Sequence, residues 1–114
     1  MRFRDSLARL RSFQIDETQR RVAQLEAMIA EFSRMARDLE REIATEEQKA
    51  GIFDIAHFAY PTYARAARTR RDNLQRSAEE LTAQLEEARQ FLEEVLTSPA
   101  RDPGGGSNTA TFAG

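Results

Sequence analysis

The chain has 114 residues; 32% of them are charged, Gly occurs five times, and there is no Trp. This composition leaves little apolar material for a globular core and is typical of long helices whose charged side chains face water. The absence of cysteine excludes disulfides and thiolate metal sites, and a formal net charge of −2 does not call for a nucleic-acid or anionic-membrane partner. No apolar run approaches the roughly 18 residues that cross a bilayer, so no membrane span is predicted.

A heptad pattern of apolar residues runs along the first half of the chain. From Thr18 the predicted core positions advance in alternating steps of four and three residues, the spacing of a coiled-coil seam. These positions are Val22, Leu25, Ile29, Phe32, Ala36, Leu39, Ile43, Glu46 and Ala50. The pattern predicts a first helix over about residues 3–50.

A short connection is predicted over about residues 51–60. Gly51 is a natural helix stop, and Asp54 is suited to cap a short turn. Pro61 fits the first turn of a second helix, where its missing N–H would have no partner within the helix.

A second seam predicts another helix over about residues 61–96. Its positions are Tyr60, Ala64, Ala67, Arg71, Leu74, Ala78, Leu81, Leu85, Ala88, Leu92 and Val95. Because the connection is short, we expect the two helices to form a long antiparallel coiled-coil hairpin over residues 1–96, an all-α fold. The alternative is that each helix pairs separately with another copy of the chain.

The C-terminal residues 97–114 are predicted to be a disordered tail. Two prolines and a run of three glycines interrupt any helix there, and no periodicity follows.

The N-terminal residues 1–13 are predicted to extend past the end of the second helix. If the turn centres near residue 55, Leu96 faces Gln14, and an extra four-residue step from Leu10 through Gln14 to Thr18 locally unwinds the supercoil. The predicted overhang carries an apolar stripe with flanking arginines, and its candidate partner-binding residues are Phe3, Leu7, Leu10, Arg4 and Arg11. It either docks on another protein or frays and packs on a second copy.

Aromatic residues cluster at the predicted tip of the hairpin, together with the single His57. They are Phe53, Phe58, Tyr60 and Tyr63. One interpretation is a local cap in which the rings close the end of the seam. The other is a partner-binding knob, since aromatic side chains contribute a large share of interface energy.

The sequence predicts no enzyme active site, cofactor site or metal site. His57 has no second His and no Cys beside it, and most carboxylates occupy outward heptad positions where they pair with Arg. No nucleotide-binding loop or nucleophile motif is present.

Several segments resemble the FliJ family of flagellar export proteins in its alphaproteobacterial form. They are Arg4-Asp5-Ser6-Leu7, the stretch from Val22 to Ile29, the stretch from His57 to Ala64, and Arg71-Asp72-Asn73-Leu74. The resemblance covers about residues 1–96, and the tip stretch is its most specific part. Family members usually continue the second helix further, so the resemblance implies a chain shortened at its C-terminus.

This resemblance implies a cytoplasmic, non-enzymatic component of the flagellar type III export apparatus, similar in shape to the central stalk of rotary ATPases and connected with chemotaxis and motility. The implied partners are the export ATPase FliI, the export gate protein FlhA and export chaperones, at the cytoplasmic face of the inner membrane. By analogy, the stripe around Phe3, Leu7 and Leu10 would face the ATPase, and the tip would face the gate. The alternative function is a general coiled-coil adaptor or chaperone escort that self-associates and tethers partners.

Overall fold

The computed structural model describes residues 2–97 and confirms the predicted all-α fold. Helix α1 spans Arg2–Ala50 and helix α2 spans Thr62–Thr97, and they are joined by residues 51–61. No strand occurs among the described residues. Two long amphipathic helices joined by a short connection form an antiparallel helical hairpin with two compact parts.

Helix α1 ends where Gly51 adopts a left-handed backbone with φ of 71°. Its N–H donates to the Glu47 carbonyl over 2.8 Å, which completes the last turn of the helix. No heavy atom lies within 4 Å of the position that a Cβ would occupy. The need for glycine is therefore conformational, because side chains of L-residues strain this backbone region.

Helix α2 begins one residue later than the sequence predicts. The Pro61 carbonyl accepts from the Arg65 N–H over 3.1 Å, so Pro61 precedes the helix at the capping position instead of lying in its first turn. The prediction was wrong by one position because proline suits both places: its fixed φ is compatible with either, and neither uses its missing N–H.

One compact part, which we call the turn unit, comprises residues 24–84. Its buried core is made of Leu39, Ile43, Tyr60, Ala64 and Ala67. Ala64 and Ala67 are almost fully shielded from solvent, and their small side chains let α2 approach the larger residues of α1 closely. Leu25, the largest fully buried side chain, also belongs to this unit.

The other part, which we call the terminal unit, comprises residues 2–23 together with residues 85–97. Leu85 is buried here, and Ala88, Leu92 and Val95 are half-buried on α2. The Arg11 guanidinium donates from Nη2 to the Val95 carbonyl over 2.7 Å and lies 3.4 Å from the Leu96 carbonyl. Arg11 thus links α1 to the last described residues of α2 within this unit.

The buried line of α1 differs from the prediction in the terminal unit. It passes through Arg11, Ile15 and Thr18, all half-buried, whereas Leu10 and Gln14 are exposed. These positions continue the alternation of four and three residues without a break, so the predicted stutter is wrong. Because Arg11 reaches α2, the overhang is also shorter than residues 1–13, and we use the name for residues 2–10.

Most of the predicted seam is confirmed by the burial of individual residues. Every position of the second predicted seam from Tyr60 to Val95 is buried or half-buried, and so is every position of the first seam from Val22 to Glu46. Ala50, the last predicted seam position of α1, is exposed beside Gly51.

The predicted C-terminal tail lies outside the described residues except for its first member. Thr97 belongs to α2, and its hydroxyl donates to the Glu93 carbonyl over 2.7 Å. Neither α1 nor the described part of α2 contains an apolar stretch long enough to cross a membrane.

Candidate partner-binding surfaces

The loop between the helices is held by a chain of hydrogen bonds over consecutive turns. The Asp54 carboxylate accepts from the Ala56 N–H over 3.0 Å, and the Asp54 carbonyl accepts from the His57 N–H over 3.0 Å. His57 Nδ1 then accepts from the Ala59 N–H over 2.9 Å, and the His57 carbonyl accepts from the Tyr60 N–H over 3.0 Å. Asp54 therefore caps a turn as predicted, and His57 has a structural partner.

A buried polar cluster lies beneath this loop and was missed by the sequence analysis. The Tyr60 hydroxyl donates to Glu47 Oε2 over 2.6 Å, and Arg68 Nη2 donates to the same oxygen over 3.0 Å. Arg68 Nε also donates to the Tyr60 hydroxyl over 2.8 Å. Tyr60 is 4% exposed and Glu47 is 9% exposed, whereas Arg68 is half-buried, so the network reaches from the core of the turn unit to its surface.

The network changes the acidity of Glu47. The hydrogen bond from Tyr60, followed by that from Arg68, stabilises the carboxylate and holds the pKa of Glu47 below its ordinary value of 4.5, against the opposing effect of burial. The hydrogen bond to Tyr60, followed by that to Glu47, raises the pKa of Arg68 above its ordinary value. Glu47 is therefore ionised at neutral pH and paired with Arg68.

Arg65 connects the loop to the start of α2. Its Nη2 donates to the Ile55 carbonyl over 3.0 Å, and its guanidinium carbon lies 5.3 Å from the centroid of the Tyr60 ring. The second of these is within the range of a cation–π contact. Arg65 thus connects the Ile55 carbonyl, in the middle of the loop, with the buried Tyr60 ring.

The four predicted tip residues separate into one core residue and three surface residues. Tyr60 lies in the core, so its inclusion among partner-facing residues is corrected, and for this residue the predicted cap is right. Phe58 is 95% exposed and stacks on His57 with ring centroids 4.8 Å apart. Phe53 is 60% exposed, and Tyr63 is 49% exposed with its hydroxyl hydrogen-bonded to Glu42. Phe53, Phe58 and Tyr63 constitute what we call the tip surface.

The apolar stripe of the terminal unit is exposed, as the sequence analysis expected of a docking surface. Phe3 is 66% exposed, Leu10 is 52% exposed and Leu7 is 39% exposed. Phe13, one turn beyond Leu10, is also exposed. Continued towards the N-terminus, the buried line of α1 would pass from position 11 to positions 8 and 4. Leu10, Leu7 and Phe3 each come one residue before one of these positions, so the stripe is rotated away from α2.

The two arginines predicted to flank the stripe differ in their surroundings. Arg4 lies on the exposed part of the helix and has an interaction partner within the chain. Arg11 is half-buried against the α2 carbonyls, so it positions the two helices of the terminal unit and is a correction to its predicted role as a partner-facing residue.

Exposed apolar residues also occur on α2 in the terminal unit, where the heptad pattern does not predict a binding surface. Phe91 is 44% exposed and Leu96 is 51% exposed. Phe91 stands between Glu87 and Glu94 at helical spacings of four and three residues, so its surroundings are acidic. Phe91 comes one residue before the seam position Leu92, and this spacing was the signal in the sequence for its exposure.

The described residues contain no group of three or more His, Cys, Asp or Glu side chains that could hold a metal ion. Comparison with family models, curated proteins and solved structures found no match to this chain. The fold and the two exposed surfaces thus define the class of the protein as an antiparallel helical hairpin, and its function must be inferred from its own residues.

Proposed function

We propose that this chain is a non-enzymatic component of the flagellar type III protein export apparatus, acting as a stalk-like coiled coil that engages the export ATPase FliI and the export gate protein FlhA. In this role it would be cytoplasmic and would work at the cytoplasmic face of the inner membrane, where export chaperones are further partners. The proposal rests on the resemblance of its residues to the FliJ family.

The observation that supports it best concerns the tip of the hairpin. The residues that form the tip include the stretch from His57 to Ala64, which is the most specific part of the resemblance. The stretch from His57 to Ala64 supplies the His57 hydrogen bonds, the fully exposed Phe58, the buried Tyr60 and the first core alanine of α2. A preformed loop loses little conformational entropy on binding, and an exposed Phe offers apolar area to a partner. These residues therefore have a physical reason to occur together in a partner-binding hairpin.

The overhang is the part that we propose for the ATPase. Its stripe presents Phe3, Leu7 and Leu10 to solvent, with Arg4 near its border. Exposed apolar side chains bordered by charge are typical of a surface that another protein covers. The tip surface would then remain available for the export gate.

The test is the ATP hydrolysis rate of the export ATPase from the same organism, measured with the full chain and with a Leu7→Asp, Leu10→Asp variant. We expect the full chain to raise the rate and the variant to lose this effect while keeping its helicity, since both leucines are exposed. Phe91→Asp is the matched control, because it removes an exposed apolar residue from α2. A full chain that neither binds the ATPase nor changes its rate would refute the export function.

The alternative is a general coiled-coil adaptor or chaperone escort that self-associates. The specific observation in its favour is that exposed apolar residues occur on both helices of the terminal unit, including Phe91 and Leu96. Sedimentation equilibrium separates the two functions. A chain that remains monomeric and binds the ATPase supports the export function, whereas self-association that persists without any ATPase binding supports the adaptor.

A further inference from the structure

The overhang and the turn that follows it have the charge and apolar pattern of a helix that lies on an anionic lipid surface. With about 100° of rotation per residue, Phe3, Leu7, Leu10 and Phe13 fall within an arc of about 120°. All four side chains are exposed, by 39% to 66%. An apolar arc of this width is broader than the narrow seam that a single partner helix covers.

Arginines border both sides of this arc. On the helical projection, Arg4 and Arg11 lie at the border nearer α2, and Arg2 and Arg9 lie at the opposite border. Asp5 is the one acidic residue between positions 2 and 13, and it projects to the side opposite the apolar arc. An apolar arc bordered by arginines is the arrangement in which a helix buries its apolar face among acyl chains while cationic heads reach lipid phosphates.

The neighbouring end of α2 has the opposite charge. Residues 85–97 carry four glutamates and one arginine, whereas residues 2–13 carry four arginines and one aspartate. An anionic surface therefore attracts α1 and repels α2 within the same unit. Contact is consequently favoured at the overhang, which lies beyond the α2 residues that Arg11 contacts.

We propose that the apolar arc of residues 2–13 binds the surface of an anionic phospholipid bilayer, with Phe3, Leu7, Leu10 and Phe13 at the acyl boundary and Arg2 and Arg9 against the headgroup phosphates. The binding is peripheral and reversible. It goes beyond the export function and does not depend on it, because the chain and the lipid suffice for the interaction. Since the ATPase is proposed for the same stripe, lipid and ATPase are alternative occupants that exclude each other.

The experiment uses tryptophan reporters, since the chain contains no tryptophan. Full-length Phe3→Trp and Phe91→Trp proteins are titrated with vesicles of phosphatidylglycerol and phosphatidylethanolamine, and separately with vesicles of phosphatidylcholine. Both positions hold an exposed Phe in the terminal unit, but only Phe91 stands between glutamates. We expect the emission of the Phe3→Trp protein to shift to shorter wavelength with the anionic vesicles alone, and that of Phe91→Trp to stay unchanged.

The electrostatic part is tested by Arg2→Gln, Arg9→Gln in the Phe3→Trp background. At about 5-fold per arginine near an anionic surface, vesicle affinity should fall about 25-fold, with unchanged circular dichroism. Equal shifts for both reporters, equal binding to neutral vesicles, or no shift at all would overturn the proposal. A shift that grows with protein concentration in the absence of vesicles would also overturn it, because a second copy would then be covering the arc.

Discussion

Replacement of Tyr60 by Phe removes a single hydroxyl from the buried network of the turn unit. The ring remains in the core, but Glu47 and Arg68 each lose a hydrogen-bond partner. A hydrogen bond to a charged group contributes about 1.5–3 kcal/mol, and a buried group left with fewer partners adds to the loss. We expect Tyr60→Phe to lower the free energy of unfolding by about 2 kcal/mol, which corresponds to about 8–15 °C in Tm for a domain of this size.

The matched control is Tyr63→Phe. The Tyr63 hydroxyl also donates to a glutamate, Glu42, but this side chain is half exposed and water replaces the lost partner. Urea and thermal unfolding followed by circular dichroism at 222 nm compare the two variants. Equal changes in stability for the two variants, or no effect of Tyr60→Phe, would show that burial of the network does not strengthen its contribution to the free energy of unfolding.

Three further results are expected. Leu25→Ala should lower the free energy of unfolding by about 3 kcal/mol because it leaves a cavity, whereas Met28→Ala, at an exposed site one turn later, should change it little in the same urea titration. The stabilisation from ionised Glu47 should be fully present above about pH 4.5 and lost as pH falls through its lower folded-state pKa, so pH titration of Tm should bring wild type and Tyr60→Phe together in acid. Phe58→Ala should preserve helicity and Tm, since this side chain is 95% exposed; a large loss of either would show that the ring packs within the protein.

The fold was predictable from the sequence because the two seams are long and regular. Each heptad places apolar residues at the same seam positions, so one atypical residue does not change the predicted seam of the whole helix. The core alanines Ala64 and Ala67 followed from spacing alone, and both are buried. The end of α1 was equally accessible, since Gly51 has few conformational roles, whereas Pro61 left the start of α2 open by one residue.

The register of the overhang was harder to predict because two adjacent lines compete there. Leu10 is apolar and Arg11 is charged, so composition favours the line through Leu10. The structure half-buries the line through Arg11, whose guanidinium reaches the Val95 carbonyl. A hydrogen bond from an arginine to backbone carbonyls of a neighbouring helix cannot be read from a pattern of apolar residues.

The Glu47 network could not be predicted for a different reason. Its members are separated by 13 and 21 residues, and their meeting depends on the path of the loop. Glu47 comes one residue after the seam position Glu46, and the heptad pattern therefore predicts that the Glu47 side chain faces outward. Only the folded loop brings the Tyr60 hydroxyl and Arg68 to this carboxylate.

The distribution of contacts along the sequence also bears on how the chain folds. Tyr60 and Glu47 are 13 residues apart, whereas Arg11 and Val95 are 84 residues apart. Closing the longer loop first would cost about 1.5–2 kcal/mol more chain entropy than closing the shorter one. We therefore expect pairing to begin beside Gly51 and to advance along both helices, so that Arg11 meets the α2 carbonyls late while the overhang stays exposed.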